Sequence, residues 1–342
     1  MRLKNIHLFL IILAILSGSA FTSEVNIYTS RHYDSDTVLY QNFTNETGIK
    51  VNIISSKSKA LLERLRSEGE NSPADIFITV DAGNLWKAQE YGLFRKINSK
   101  KIDSIVPKNL RGDNNEWIAL AKRARVLFYN PKKYSDDELK DLSYEDLSSS
   151  KWKKKLSIRS SNNLYNQSLV ASMIVKHGES FTEEWAKGLV NNFARKPQGN
   201  DRAQIIAVAN GEADLAIANS YYLGLMLSGK KGEAQLSAGK KVKILFPSQN
   251  EAGAHINISG AGIIKSSKNY TNAIQFLEFM LSEKAQKHLV ENTYEYPINK
   301  KVKPSALISQ FGLNFKEDVT DVYKYGEFNS AAIKLMDRIG WE

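Results

Sequence analysis

Val25-Asn26-Ile27-Tyr28-Thr29-Ser30, near the start of a chain of 342 residues, is a β-branched and aromatic run of strand length. A helical stretch over 38–47 follows it, and then a second strand-like run, Lys50-Val51-Asn52-Ile53-Ile54. Residues 59–68 carry Leu61, Leu62 and Leu65 at helical spacing, and Ala74-Asp75-Ile76-Phe77-Ile78 reads as a short buried strand. This βαβαβ order needs crossover helices, so it predicts an α/β fold with mainly parallel sheets.

The same alternation continues along the chain. Arg123-Ala124-Arg125-Val126-Leu127-Phe128-Tyr129-Asn130 reads as a strong strand ended by Pro131, and 155–160 as another. Helices are expected over 167–176 and over 202–210, the latter stopped by Gly211. The strand Asp214-Leu215-Ala216-Ile217-Ala218-Asn219 precedes a long extended run over 255–264, and helices follow over 271–281 and 283–291. Segments near 119–129 and 255–264 suit paired connections between two lobes. No Pro/Gly/Ser linker marks a simple boundary, so each lobe is expected to be discontinuous: 21–124 with 255–300, and 125–254 with 301–342.

The composition, 42% hydrophobic and 25% charged, supports two lobes of ordinary domain size. The chain has no cysteine, which excludes disulfides, thiolate metal sites, cysteine nucleophiles and a lipid-bearing cysteine. Met1-Arg2-Leu3-Lys4, an apolar run over 8–16 and Ser17-Gly18-Ser19-Ala20 read as a cleavable secretory signal over 1–20. That run is far short of the roughly 20 residues that span a bilayer. An exported protein with no lipid anchor is retained only behind an outer membrane, so the periplasm is the expected location. The formal charge of +10 falls to +8 once Arg2 and Lys4 leave with the signal. No zinc-finger spacing, RNP-like segment or basic helix points to nucleic acid, and the lysine runs at 151–155 and 240–241 read as solvated surface. An enzyme is not indicated: there is no Gly-x-Ser-x-Gly elbow, phosphate loop or dinucleotide fingerprint.

Three strands are each followed by tyrosine: Arg31-His32-Tyr33, Ser161-Asn162-Asn163-Leu164-Tyr165 and Ser220-Tyr221-Tyr222. Ligands of open α/β sheets bind beyond the carboxyl ends of strands, where these motifs can converge. Adjacent Tyr221 and Tyr222 serve one site only at a strand-to-helix turn, and Asn219 and Ser220 are suitable capping residues for one. The alternative is that one of the pair packs in the core. Phenolate is a hard, anionic oxygen donor, and ferric iron is acidic enough to drive off a proton held with a pKa of about 10. His32 is a ligand or a neighbour hydrogen-bonding to one, whereas His177, His255 and His288 show no paired ligand spacing and read as structural. Four phenolates and one Fe(III) sum to minus one, so a buried cation is expected nearby. Arg125 is the first candidate, with Arg31 and Arg202 as alternatives. An aromatic cage for an organic cation is the competing use of such a tyrosine cluster.

With these residues in place, the chain resembles the periplasmic ferric-iron-binding proteins of ABC importers, of the FutA and FbpA kind. The resemblance is carried by Tyr28-Thr29-Ser30-Arg31-His32-Tyr33, Lys122-Arg123-Ala124-Arg125-Val126, the run 163–173, Pro197-Gln198-Gly199-Asn200-Asp201 and Ala218-Asn219-Ser220-Tyr221-Tyr222. It implies a two-lobed periplasmic binding protein fold of type II kind, closing over Fe(III), and a monomer that hands its ion to an inner-membrane ABC permease. It puts iron on Tyr33, Tyr165, Tyr221 and Tyr222, with His32 as a further candidate. In Ile78-Thr79-Val80-Asp81, Val80 stands where the carboxylate-using branch has glutamate, which favours the tyrosine-rich branch and leaves Asp81 as the nearby carboxylate.

Overall fold

The structure is a computed structural model that describes residues 23–31, 33–312 and 314–342. The signal assigned to residues 1–20 and the candidate ligand His32 lie outside these residues. The described residues form nine strands: β1 Glu24–Thr29, β2 Lys50–Ser55, β3 Ile76–Val80, β4 Phe94–Arg95, β5 Trp117–Tyr129, β6 Leu156–Ser157, β7 Leu215–Asn219, β8 Lys243–Leu245 and β9 Ile256–Ile264. Their order is β2-β1-β3-β9-β5-β7-β6, with β4 added to β9 and β8 to β5. Helices occupy the connections, giving the expected α/β class.

The expectation of mainly parallel sheets is corrected. Among the described residues β1 runs parallel to β2 and β3, and β6 to β7, but the other five pairings are antiparallel. The reason lies in β5 and β9, long strands that are not part of a crossover unit and run against every neighbour. β5 also changes partner along its length: Trp117 to Ala124 pair with β9, and Arg125 to Tyr129 with β7 and β8. At the switch the Arg125 N–H donates to the His255 carbonyl at 2.9 Å. The register of β5 on β9 slips between Ala119 and Ala121, leaving Leu120 as the extra residue of a bulge.

All nine residues of β9 are buried, as befits a strand covered on both faces. Its glycines are there for closeness: a Cβ on Gly262 would stand 2.5 Å from the Phe94 ring, and one on Gly260 would stand 2.6 Å from the Ile118 carbonyl oxygen. β6 is much shorter than the strand expected over 155–160. Asn166 Nδ2 donates to the carbonyls of Arg159 (2.7 Å) and Ser160 (3.2 Å), so a side chain takes the acceptors a neighbouring strand would need. Conversely, helix Asp34–Thr47 begins four residues before the expected start, directly beyond β1, and helix Leu164–Asn191 extends far past 167–176 through a non-helical Gly178 (φ 79°, ψ 166°). The C-terminal turn Lys324–Glu327 packs on both helix Ala82–Glu90 and helix Leu164–Asn191, with Gly326 pressed against Trp86. No helix among the described residues is long and apolar enough to cross a membrane.

Candidate metal centre

Each of the four tyrosines stands at the start of a helix that leaves a strand end. Tyr33 is the N-cap of Asp34–Thr47 after β1 and Tyr165 the second residue of Leu164–Asn191 after β6, while Tyr221 and Tyr222 open Tyr221–Leu227 after β7. First turns carry unpaired N–H groups and the positive end of the helix dipole, which favour an anionic oxygen. The turn that sets Tyr221 and Tyr222 side by side forms without the expected side-chain cap: Ser220 has helical dihedrals (φ −55°, ψ −40°), and its hydroxyl caps nothing. The two rings lie 4.2 Å apart between centroids, tilted by 32°.

The structure brings all four together. Every pair among Tyr33, Tyr165, Tyr221 and Tyr222 is close enough for one phenolate to disfavour ionisation of the other. Burial is the larger effect and holds the phenols of Tyr33, Tyr221 and Tyr222 well above their ordinary range. Tyr221 is buried, whereas Tyr33 and Tyr222 are half-buried.

A layer of buried arginines underlies the cluster. The Arg123 guanidinium lies 5.7 Å from the Tyr165 ring centroid and 5.8 Å from that of Tyr221, Arg125 lies 5.8 Å from Tyr165, and Arg31 lies 4.9 Å from Tyr33. Glu295, fully buried, joins Arg31 (3.1 Å) to Arg123 (3.1 Å) and accepts from Ser259 Oγ at 2.8 Å. Burial alone would raise its carboxyl, but the two guanidiniums outweigh that and hold it below the usual carboxylate range. Arg31 also binds Asp36 at 2.9 Å. Asp201 receives Arg125 (2.6 Å) and Arg159 (2.7 Å), and Arg125 donates to Asn166 (2.6 Å) and Asn219 (3.2 Å) as well. The Nε and Nη1 atoms of Arg123 are buried with no hydrogen-bond partner among the described residues.

Of the arginines expected from sequence, Arg125 and Arg31 stand beside the tyrosines. Arg202 is half-buried on helix Asp201–Ala209, and no hydrogen bond or ion pair among the described residues links it to Tyr165, Tyr221 or Tyr222. Asp81 is likewise outside the cluster, held by Gly83, Ser168 and Asn257. His177 pairs with Glu145 (2.8 Å) and His288 meets the Ser35 carbonyl (2.8 Å), while His255 is buried against the Tyr325 ring (4.7 Å). Sequence reasoning missed Arg123, Arg159, Asp201 and Glu295. Arg123 carried a signal, since it lies two residues before Arg125 and thus on the same face of the strand. Among the described residues no group of three or more His, Cys, Asp or Glu side chains could hold a metal.

The profile of a family described as bacterial extracellular solute-binding protein matches residues 71–313, well over half of the chain. The chain belongs to that family. Among bacterial extracellular solute-binding proteins it is 48% identical to iron uptake protein A1 of Synechocystis sp. (strain ATCC 27184 / PCC 6803 / Kazusa), over 93% of this chain and 88% of that one. It shares 28% identity with the major ferric iron-binding protein of Neisseria meningitidis serogroup A, over 86% and 87% of the two chains. Among solved structures, the Trichodesmium protein IdiA (FutA) in complex with iron and citrate superposes with a TM-score of 0.90 at 50% identity, covering 94% of this chain and all of that one. The two-lobed solute-binding fold expected from sequence is the fold of these neighbours.

Proposed function

We propose that this chain is a periplasmic protein that captures ferric iron between two lobes through the phenolates of Tyr33, Tyr165, Tyr221 and Tyr222 and delivers it to an inner-membrane ABC permease. The observation that carries this reading is the gathering of four tyrosines from three helix starts beside one layer of buried arginines. The charge count supports it. The guanidiniums of Arg31, Arg123, Arg125 and Arg159 face the carboxylates of Asp36, Asp201 and Glu295, which leaves one positive charge to offset the single negative charge of Fe(III) bound by four phenolates. His32 remains a candidate for a further position. The names of its relatives, iron uptake protein A1 and major ferric iron-binding protein, support the same cargo.

An aromatic cage for an organic cation is opposed by the ring faces. Tyr221 and Tyr222 cover one another, and the protein's own guanidiniums stand near the rings of Tyr33, Tyr165 and Tyr221, where a cationic guest would be repelled. Binding and release, rather than catalysis, is the work proposed, by a monomer whose lobes comprise 21–124 with 255–300 and 125–254 with 301–342. The partner switch of β5 beside Ala124 and Arg125 supports those limits. The test is substitution of each tyrosine by phenylalanine, followed by titration with Fe(III) and by the visible phenolate-to-iron charge-transfer band. Weaker binding and a diminished band in a folded protein are expected. Parental titrations for all four variants would remove the site.

A further inference from the structure

Asp81 follows β3 with φ 73°, the left-handed region that a non-glycine residue enters at a cost, and it is fully buried. Its carboxylate accepts from Gly83 N–H at 2.9 Å and from Asn257 Nδ2 at 2.9 Å, while the Ser168 hydroxyl lies 2.9 Å from both of its oxygens. Asn257 is itself fixed, its Oδ1 accepting from the N–H groups of Ala82 (3.0 Å) and Ile258 (2.8 Å). No ion pair reaches Asp81 among the described residues. Three neutral donors therefore satisfy a desolvated carboxylate, which persists only where the surroundings hold it.

Two of those donors belong to the half of the molecule built on β1, β3 and β9. Ser168 does not. It lies on helix Leu164–Asn191, beyond β6, three residues after Tyr165 and so on the same helix face. A helix cap would need only Gly83, which leaves the Ser168 contact without a local purpose.

We infer that Asp81 is a positioning residue for iron capture: by holding Ser168 it pins the first turn of the Tyr165 helix to the opposite half and sets where Tyr165 stands relative to Tyr33. Asn166, between them in sequence, is tied to Arg125 and to the Arg159 carbonyl, so the turn is held from both halves. The contact adjoins the strand crossing, since Asp81 N–H donates to the Ile258 carbonyl at 2.8 Å and Asn257 is opposite Arg123 in the β5/β9 register. A rotation about the crossing strands displaces such a point little, so it serves as a pivot in open and closed forms alike. This inference rests on the reading of Tyr165 as a ligand.

Burial pushes the Asp81 carboxyl up to about 6 against the pull of its donors and of Arg123, so altering Asp81 changes stability for reasons unrelated to iron. The test is therefore made on its partner. In the chain from residue 21 loaded with Fe(III), Ser168→Ala is expected to release iron to a competing chelator about tenfold faster, the order set by one lost hydrogen bond to a charged group. Ser168→Thr, which keeps the hydroxyl, is expected to release at close to the parental rate. The melting midpoint of the iron-free protein is measured alongside. A Ser168→Ala protein that melts lower yet releases iron at the parental rate reduces the contact to a structural one and overturns the inference. Tyr165→Phe run in parallel keeps the two readings apart: an unchanged visible band there removes Tyr165 as a ligand, whereas a diminished band beside parental release from Ser168→Ala removes only the role of Asp81.

Discussion

Arg123 is tied to Glu295 on one side and stands near the rings of Tyr165 and Tyr221 on the other, so its charge serves both fold and site. Arg123→Gln leaves Glu295 with Arg31 alone, and breaking a buried pair in this way costs roughly 3–5 kcal/mol. Adding Glu295→Gln restores the net charge around the tyrosines. Urea midpoints and iron titrations are expected to show the double variant recovering part of both losses; a double variant as weak in iron binding as the single one would mean that net charge does not govern affinity. Protons give a second prediction at this scale. The folded-state values of Tyr33, Tyr221 and Tyr222 are raised, so these phenols keep their protons at neutral pH, and each must release one to bind iron. Four ligands imply release of up to about four protons per ion, and affinity that falls as pH falls. Iron titrations at several pH values, corrected for the competing chelator, give the slope, and a flat one would make the tyrosines bystanders. For the iron-free fold the sign is opposite: above about pH 10 the unfolded chain loses phenolic protons that the folded chain retains, so stability drops there. The tyrosines were legible because their motifs recur after three strands. Glu295 was not, since nothing in the local pattern of Thr293-Tyr294-Glu295-Tyr296 says that it meets two arginines more than 170 residues away in the chain.

Elements whose periodicity was strong stand close to where sequence reading puts them, as with β1, β2, β7, β9 and the helix Glu283–Thr293. Those set by long-range pairing do not. β6 is cut short by the Asn166 side chain, and β5 begins at Trp117, six residues before the strongest strand-like run and two before the extended segment expected near 119–129, because β9 is there to pair with it. Strand direction was misjudged for the same reason: local pattern identifies a strand but not which neighbour it meets. The close approach of Phe94 to Gly262 yields a prediction at this scale. Gly262→Val adds a branched side chain where even a Cβ stands 2.5 Å from the ring, and overpacking of this kind costs about 1–3 kcal/mol. The urea midpoint should fall while the visible iron band, formed at the far ends of other strands, keeps its position. A band that moved with the midpoint would tie this strand directly to the ligand geometry.

On the scale of the whole chain, the tyrosines proposed as ligands follow β1, β6 and β7 on elements at either side of the β5 crossing, so an ion bound by all of them would draw the halves together. Solution scattering should show a smaller radius of gyration with Fe(III) than without it, and superimposable profiles would indicate a rigid, preformed site. β5 passes through the crossing as thirteen residues of unbroken strand rather than as a loop. Closing the halves about it would twist it along its length, as a torsion bar is wound. Its irregular point is Leu120, the extra residue of the bulge, whose carbonyl accepts from Gln286 Nε2 at 2.8 Å. Deleting Leu120 would stiffen the bar, and we expect iron loading of that variant to become slower while its four tyrosines remain in place.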